Sequence, residues 1–430
     1  RDEANEDRSK TEKGTHHGSI ALASPAPYRL VSVFFRHVSL PASATVQQHR
    51  FAMAAALLAA ARLCVARLRA TSLASAAIQF KHKASSSCTQ PGLVQTVRGI
   101  VSQALRYEIN GAPDAVLKLE VLELPAVKPG EVLVDFQAAP INPADINIIE
   151  GKYPIRASLP ATAGMEGVGV VRETGSQALL PEDLKPGDHV VPLEPLLGTW
   201  ASTAVLPAVS LYRIPSSLPT LPASGLTINP PTAVCLLERF VDLQEGDVIV
   251  QNGANSSVGQ AVIEIAASKG VHTVNIIRKR DNWDDVAQQL RNLGATIVTT
   301  IEEVKAVSST LPRPKLALDC VGGEAATTVA KLLSAGGTMV TYGAMAKQSV
   351  TIPPPLLIFK DIRLRGFALS MNSTPEQKRH LLDSVVPLAQ QGAFSSGRYR
   401  EFALQDHQEA LAFAQQGFRD CKTVFRMTGQ

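Results

Sequence analysis

The sequence predicts an α/β fold in which a barrel-like domain of short β-strands is followed by a doubly wound parallel sheet. From about residue 94 onward, short β-type runs are separated by Pro and Gly turns, and this spacing is typical of a small all-β barrel. After about residue 230, apolar strands alternate with helical patterns, which is typical of a parallel sheet with helices on both faces. A chain of 430 residues is long enough for two or three domains.

The N-terminal quarter differs in composition from the rest of the chain. Residues 14–107 contain no Asp or Glu, and residues 53–69 form a helix-favouring run punctuated by Arg and followed by Ser-rich sequence. This combination is typical of an organelle transit peptide. We therefore expect residues 1–92 to comprise a transit peptide and a disordered or upstream segment, with import into the mitochondrial matrix. Secretion and plastid import are the alternatives.

Composition and charge exclude several classes of protein. The net charge of +4 is small, so charge does not indicate a nucleic-acid partner. The five cysteines are scattered, without a C-x-x-C pair, which argues against a disulfide framework or a structural zinc site. The apolar runs of the N-terminal quarter are too short and too often interrupted by Arg to span a bilayer. We therefore predict neither a metal site nor a membrane partner.

Turn-then-strand patterns recur in the predicted barrel-like domain, residues 93–228. A Pro-Gly turn opens the runs 129–136 and 186–191, and residues 164–171 form a further strand candidate. Pro and Gly fix the turns, and the β-branched residues that follow favour extended backbone. This part of the chain therefore predicts many short strands.

Five strands are predicted in the parallel-sheet domain, residues 229–368. They are residues 248–251, 273–277, 296–299, 316–319 and 338–342. The first is followed by a turn of small residues and by the apolar helical run 261–267. Such a turn leaves backbone N–H groups free at a helix N-terminus, where they can bind a pyrophosphate. Because the turn lacks the full G-x-G-x-x-G pattern, the motif alone is a weak indication of dinucleotide binding.

Three basic residues follow the second of these strands. Arg278, Lys279 and Arg280 stand about where an NAD enzyme places its ribose-binding acid, roughly 20 residues after the turn. Three cations fit the 2′-phosphate of NADPH, which is the cofactor that the sequence predicts. A solvated strand end is the alternative interpretation of such a charge run.

Motifs in both predicted domains carry a family resemblance. They are Ala139-Pro-Ile-Asn142-Pro-Ala-Asp145, Gly151-Lys-Tyr153, Asn229-Pro-Pro-Thr232, Asn255-Ser-Ser-Val258-Gly259, Asp319-Cys-Val-Gly-Gly323, Gly336–Lys347 and Leu357–Phe367. On these motifs, residues 94–430 resemble the medium-chain dehydrogenase/reductases, in which a GroES-like barrel is interrupted by a Rossmann domain. More closely, they resemble the mitochondrial trans-2-enoyl-CoA reductases, also called 2-enoyl thioester reductases. The sequence after about residue 374 is helical and then β-like, and we expect residues 369–430 to return to the first, catalytic domain.

The resemblance also implies an activity and partners. It implies NADPH-dependent reduction of trans-2-enoyl thioesters, carried on CoA or acyl carrier protein, to saturated acyl thioesters in mitochondrial fatty acid synthesis. Zinc enzymes of this fold have Gly-His-Glu where this chain has Gly164-Met165-Glu166, so a zinc-free member is implied. Relatives dimerise through an edge strand, and the alternating segment 361–369 is the candidate for that strand in a homodimer.

Individual residue roles are implied in the same way. Tyr153 matches the proton-donating or carbonyl-orienting tyrosine of the family; a packed loop anchor is the alternative. Besides the three cations, the implied cofactor-binding residues are Asn229, Asn255, Ser256, Ser257, Val258, Tyr342, Gly343, Ala344, Met345, Phe367, Ala368, Leu369 and Lys422. Three positions depart from the family pattern: Ser257 and Thr227 replace Gly, and Ala368 replaces Trp. Ser257 narrows backbone approach in the pyrophosphate turn, and because Thr227 and Ala368 change the pocket volume in opposite directions, the preferred acyl chain length stays open.

Two other functions fit the same sequence. A zinc-free NADPH quinone oxidoreductase shares the fold, and a non-catalytic, nucleotide-binding regulatory protein could keep the fold without the chemistry. The presence of Tyr153 and the absence of an aromatic-plus-basic stripe argue against the second of these. Turnover of an enoyl thioester against a quinone separates the two enzymes.

Overall fold

Residues 99–176 and 184–427 are described in the computed structural model, and they fall within one unit of the chain, residues 95–430. The predicted transit peptide lies outside the described residues. The first part of the described chain is rich in strands: β1 (Val101–Tyr107), β2 (Lys118–Glu123), β3 (Glu131–Pro140), β4 (Ala161–Thr162), β5 (Val168–Thr174), β6 (His189–Pro192), β7 (Thr203–Pro207) and β8 (Leu211–Ile214). Its short helices are α1 (Pro113–Val116), α2 (Pro143–Ile149), α3 (Thr220–Ala223) and the 3-10 turn Ala208–Ser210.

The second part alternates helices and strands. In chain order these are α4 (Asn229–Glu238), β9 (Val248–Asn252), α5 (Ser257–Ser268), β10 (His272–Ile276), α6 (Trp283–Asn292), β11 (Ile297–Thr299), α7 (Val304–Val307), the 3-10 turn Ser308–Thr310, β12 (Leu316–Asp319), α8 (Gly323–Leu332), β13 (Thr338–Thr341), α9 (Pro354–Ile358) and β14 (Arg363–Gly366). The C-terminal segment contains α10 (Leu369–Asn372), α11 (Pro375–Gln390), β15 (Tyr399–Phe402), the 3-10 turn Leu404–Asp406, α12 (His407–Gln415) and β16 (Lys422–Arg426).

Six strands of the second part form one parallel sheet in the order β11-β10-β9-β12-β13-β14. This confirms the predicted doubly wound sheet. The five predicted strands agree with the observed limits to within one residue. The sixth, β14, lies at the edge of the sheet inside the segment 361–369, and all four of its residues are exposed.

Alternation along β9 explains why helices cover both faces of this sheet. Ile249 packs into the apolar cluster formed with α4, α5 and α11, whereas Val248 and Val250 pack into the cluster formed with α8. Successive strand residues point to opposite faces. A strand whose residues are buried on both faces must therefore be covered on both sides, and β9 is buried throughout.

The remaining strands form two sheets. A small sheet has the order β2-β1-β4, and a seven-stranded sheet has the order β15-β16-β3-β5-β6-β8, with β7 also paired to β3. The last strand, β16, pairs antiparallel with β3. Its Phe425 packs edge-on against the fully buried Trp200, with ring centroids 5.1 Å apart. Among the described helices, none is long and apolar enough to cross a membrane.

Candidate active site

Most of the predicted cofactor residues follow the carboxyl ends of parallel strands; Asn229 and Lys422 do not. Residues 255–258 follow β9, residues 278–280 follow β10, residues 342–345 follow β13, and residues 367–369 follow β14. Because these strands are parallel, their carboxyl ends lie at the same edge of the sheet. The strand order reverses between β9 and β12, and ligands of open α/β sheets bind at such a point.

The turn after β9 lets the start of helix α5 pack closely against the backbone of the turn. Ser256 caps α5, since its Oγ accepts a hydrogen bond from the backbone N–H of Gly259 at 3.1 Å. A Cβ on Gly259 would lie 2.5 Å from the carbonyl oxygen of Ala254, so only glycine fits there. The side-chain amide of Gln260 holds the carbonyl of Asn255 at 2.9 Å. The turn therefore presents the N-terminus of a 12-residue helix, which suits a pyrophosphate.

A buried carboxylate fixes the neighbouring strand ends. Asp319 at the end of β12 accepts hydrogen bonds from Asn252 at 2.7 Å and from Thr341 at 3.1 Å, which end β9 and β13. It also accepts the backbone N–H groups of Val321 and Gly322. Asp319 therefore ties three strands and the turn after β12 into one rigid edge.

Tyr342 and its neighbours line this edge. The hydroxyl of Tyr342 is buried and makes no hydrogen bond of ordinary geometry among the described residues, although Cys320 and Ser256 lie beside it. Burial raises the pKa of Tyr342 well above its usual value, and burial raises the pKa of the Cys320 thiol to about 11. Gly343 lies against the backbone of Cys320. Ala344 and Met345 are exposed, with the N–H of Met345 bonded to the carbonyl of Cys320 at 3.0 Å.

The three basic residues after β10 lie over two aromatic rings, neither of which was predicted from the sequence. Arg278 and Arg280 lie over the ring of Phe418, at 4.2 and 5.6 Å from its centroid. Lys279 lies 5.1 Å from the ring centroid of Trp283. Within the described ranges, none of the three cations pairs with a carboxylate. Arg280 Nε and Trp283 Nε1 are buried without a hydrogen-bond partner there, so the cluster has unused donors for an anion.

Tyr153 lies next to the segment that follows β14. Its backbone N–H is held by the carbonyl of Asn147 in α2 at 3.1 Å, and its hydroxyl lies 2.9 Å from Oγ of Ser370 in α10. Phe367 and Leu369, two predicted cofactor residues, are buried immediately before Ser370. The structure therefore brings the predicted catalytic tyrosine to the same edge of the sheet as the predicted cofactor residues. Ser370 itself was not predicted, because nothing in its local sequence marks it.

A polar network joins the two parts of the chain. The buried carboxylate of Glu166 accepts hydrogen bonds from the side chain of Asn142 and the backbone N–H of Ile228, both at 2.7 Å. Lys422 donates to Oδ1 of the same Asn142, so this amide is held between an ammonium and a carboxylate. Asn229 Nδ2 lies 3.4 Å from Glu166 Oε2. The network thus connects two predicted cofactor residues, Asn229 and Lys422.

Burial governs the ionisation of this network. Burial raises the pKa of Asp145 to about 7, although the N–H groups of Asn142 and Met165 donate to its carboxylate at 2.8 and 3.0 Å. Burial also raises the pKa of Glu166, opposed by the charge of Lys422. It lowers the pKa of Lys422, opposed by the two carboxylates. The three charges therefore determine one another's ionisation.

The three departures from the family pattern lie at different places in the site. Ser257 is the first residue of α5. Thr227 Oγ1 lies 3.4 Å from Glu166 Oε1, so its side chain borders the polar network. Ala368 is half-buried, and its N–H donates to the side chain of Asn372 at 2.9 Å. In the part of the chain that the structure describes, no group of three His, Cys, Asp or Glu side chains is arranged to hold a metal ion.

Comparison with known proteins gives matches over most of the described chain. The alcohol dehydrogenase GroES-like domain matches residues 128–216, and the zinc-binding dehydrogenase domain matches residues 257–385. The chain is 43% identical over 333 residues to the mitochondrial enoyl-[acyl-carrier-protein] reductase of Rattus norvegicus, covering 76% of this chain and 88% of that relative.

The similar solved structures include enoyl thioester reductases. The chain is similar to Etr1p in its complex with NADP and crotonyl-CoA, with a TM-score of 0.69 and 30% identity over 76% of this chain and 100% of that one. It is also similar to the mitochondrial 2-enoyl thioester reductase Etr1p/Etr2p heterodimer from Candida tropicalis, with a TM-score of 0.68, 30% identity and the same coverage. Both matches span the barrel-like and the Rossmann parts together.

Proposed function

Because this chain belongs to the mitochondrial enoyl-[acyl-carrier-protein] reductase family, we propose that it reduces trans-2-enoyl thioesters to saturated acyl thioesters with NADPH in mitochondrial fatty acid synthesis. The observation that carries the proposal is the meeting of Tyr153 and Ser370 at 2.9 Å. It joins the tyrosine of the first part of the chain to the segment that follows β14, at the sheet edge where we propose that the cofactor binds. This reduction requires a proton donor placed beside the cofactor-binding edge of the sheet.

The residues present fit NADPH. We propose that the N-terminus of α5, capped by Ser256, holds the pyrophosphate, and that Arg278 and Arg280 hold the 2′-phosphate. The buried Nε of Arg280 and the buried hydroxyl of Tyr342, which lack partners among the described residues, are donors that a nucleotide can satisfy. When bound, NADPH supplies the hydride for the β-carbon of the substrate.

The protein's own chemistry is then positioning and protonation. The thioester carbonyl makes the β-carbon electrophilic without a metal, so the protein need only align the acyl group and supply a proton. We propose that the Tyr153 hydroxyl protonates the α-carbon or stabilises the enolate oxygen. Asn229 and Lys422, held by Glu166 and Asn142, orient the nicotinamide end of the cofactor beside it.

We propose a homodimer located in the mitochondrial matrix. β14 is an edge strand whose four residues are all exposed, and an uncovered edge strand pairs readily with another copy of itself. Leu357, Ile358 and Phe359, next to this strand, are exposed apolar residues that such pairing would cover. Analytical ultracentrifugation measures the oligomeric state, and a monomer at every protein concentration would overturn the proposed homodimer.

The experiment that tests the activity follows loss of NADPH absorbance with crotonyl-CoA and with trans-2-decenoyl-CoA. NADH replaces NADPH in one control, and a quinone replaces the thioester in another. We expect thioester turnover with a preference for NADPH. Turnover of the quinone alone would assign the chain to the oxidoreductase alternative, and NADPH binding without any turnover would favour the regulatory one. The ratio of the two thioester rates reports how Thr227 and Ala368 shape the acyl pocket.

A further inference from the structure

We propose that Ser370 is a positioning residue for Tyr153, donating a hydrogen bond to its phenolic oxygen so that the Tyr153 proton is directed at the substrate. This inference rests on the proposed function, because it concerns the tyrosine to which that function gives the proton. The distance between the two hydroxyl oxygens is 2.9 Å, and the residues are 217 positions apart in the chain. The contact is therefore made by the tertiary fold and by nothing local.

The hydrogen-bonding capacity of the pair limits what it can do. Each hydroxyl has one proton to donate and can also accept. If Tyr153 donates to Ser370, its phenolic proton lies in the hydrogen bond to the serine and does not point at the substrate. If Ser370 donates to Tyr153, the phenolic proton is free to point elsewhere. Only the second arrangement serves a proton donor, and in it Ser370 supports the oxygen from which the proton leaves.

The same arrangement favours the proton transfer energetically. As the O–H bond of Tyr153 breaks and the new C–H bond forms at the α-carbon, negative charge collects on the phenolic oxygen. A hydrogen bond from Ser370 then becomes a bond to a charged acceptor, which is stronger than a bond between neutral groups. The serine hydroxyl therefore stabilises the transition state more than the ground state, and this difference is what accelerates a step.

Ser370 is held rigidly, as a positioning group must be. It lies in α10 directly after Leu369, which is buried. The side chain of Asn372 accepts the N–H of Ala368 at 2.9 Å, closing the short helix, and Arg239 donates to the carbonyl of Asn372 at 3.2 Å. Tyr153 lies in the loop after α2, where its backbone N–H donates to the carbonyl of Asn147. Backbone hydrogen bonds therefore hold both partners of the pair.

The test compares Ser370→Ala and Ser370→Thr with the wild-type protein. Loss of a hydrogen bond to a charged oxygen should lower kcat about 10- to 100-fold in Ser370→Ala, with KM for crotonyl-CoA changed less than about 3-fold. Ser370→Thr keeps the hydroxyl and should restore most of the rate. Ser373→Ala is the matched control, because this serine is on the same segment and its side chain accepts a hydrogen bond from Arg239 rather than contacting Tyr153 among the described residues; its rate should match wild type.

A second measurement does not depend on activity. The ultraviolet resonance Raman spectrum of the wild-type protein minus that of Tyr153→Phe reports the hydrogen bonding of the Tyr153 phenol. In the Ser370→Ala background the same difference spectrum should change, because the phenolic oxygen loses a hydrogen-bond donor. If both the rate and this spectrum are unchanged in Ser370→Ala, the inference is overturned. If the spectrum changes but the wild-type protein reduces no enoyl thioester, the positioning role stands and the proposed function fails.

Discussion

Replacing Lys422 by Met should destabilise the protein through the carboxylates that the ammonium faces. Lys422 donates to Asn142, which in turn donates to the buried Glu166, and the charge of Lys422 acts on both Glu166 and Asp145. Methionine keeps an unbranched apolar chain and removes the charge. The change therefore isolates the electrostatic part of the network.

The expected loss is about 3 kcal/mol in the free energy of unfolding. Breaking a buried, directly contacting ion pair from one side costs about 3–5 kcal/mol, whereas here the Asn142 amide lies between the ammonium and the carboxylate. The lower end applies here because part of Lys422 stays accessible, and because Glu166 keeps the N–H of Ile228 as a donor. How this loss in the free energy of unfolding changes with pH depends on the carboxyl groups of Glu166 and Asp145, whose pKa values burial already raises. Removing the cation raises them further, so the loss is present at pH 8 and shrinks as the pH falls toward 5.

Urea denaturation followed by circular dichroism measures this loss at both pH values. The decisive comparison is the double variant Lys422→Met with Glu166→Gln, in which no unpaired Glu166 charge remains. It should be more stable than Lys422→Met alone by roughly 2 kcal/mol. Lys331→Met, at an exposed position in α8, should stay within about 0.5 kcal/mol of wild type. Additive losses in the double variant would refute the argument, since they would mean that Lys422 and Glu166 do not interact.

Other predictions concern the turn, the basic cluster and a second buried carboxyl. Gly259→Ala should weaken NADPH binding at least about 10-fold, because a 2.5 Å contact with Ala254 must be relieved. Fluorescence titration measures the effect, with Gly225→Ala, whose Cβ has no contact shorter than 3.9 Å, as the control. Arg280→Gln should lower the ratio of kcat/KM for NADPH over NADH about 10- to 100-fold, and an unchanged ratio would contradict 2′-phosphate binding. Burial raises the pKa of Glu264 to about 7, so Glu264→Gln should improve stability relative to wild type by roughly 1–3 kcal/mol more at pH 8 than at pH 5; equal effects in urea melts at both pH values would contradict this.

The parts of the fold that the sequence predicts are those with a local cause. The strand Leu316–Asp319 is an apolar run bounded by turns, and its observed limits match the prediction. The order of the sheet follows from alternation of strands and helices, which in a parallel sheet leaves few topologies. Because all its strands point one way, residues after four different strands reach one edge without any further information.

The contacts that complete the candidate site join residues far apart in the chain, so no local sequence pattern predicts them. Asn142 and Lys422 are 280 positions apart, and Arg280 and Phe418 are 138 apart. The first contact exists because β16 pairs with β3, and the strand patterns of these segments do not specify each other as partners. A single sequence therefore indicates which residues are chemically able to act, but it does not pair Tyr153 with Ser370.

The buried carboxylate of Glu166 shows how this site differs from a zinc enzyme of the same fold. The zinc pattern Gly-His-Glu becomes Gly164-Met165-Glu166, so the acid stays while the metal-binding imidazole is replaced by a thioether. A buried carboxylate without a compensating charge is costly, and in this protein the ammonium of Lys422 supplies that charge through Asn142. Glu166 also lies 3.4 Å from the amide of Asn229. The carboxylate that Lys422 compensates therefore also connects Lys422 to Asn229, the two residues proposed to orient the nicotinamide. We therefore expect Glu166, the acid kept from the zinc pattern, to serve in aligning these two residues.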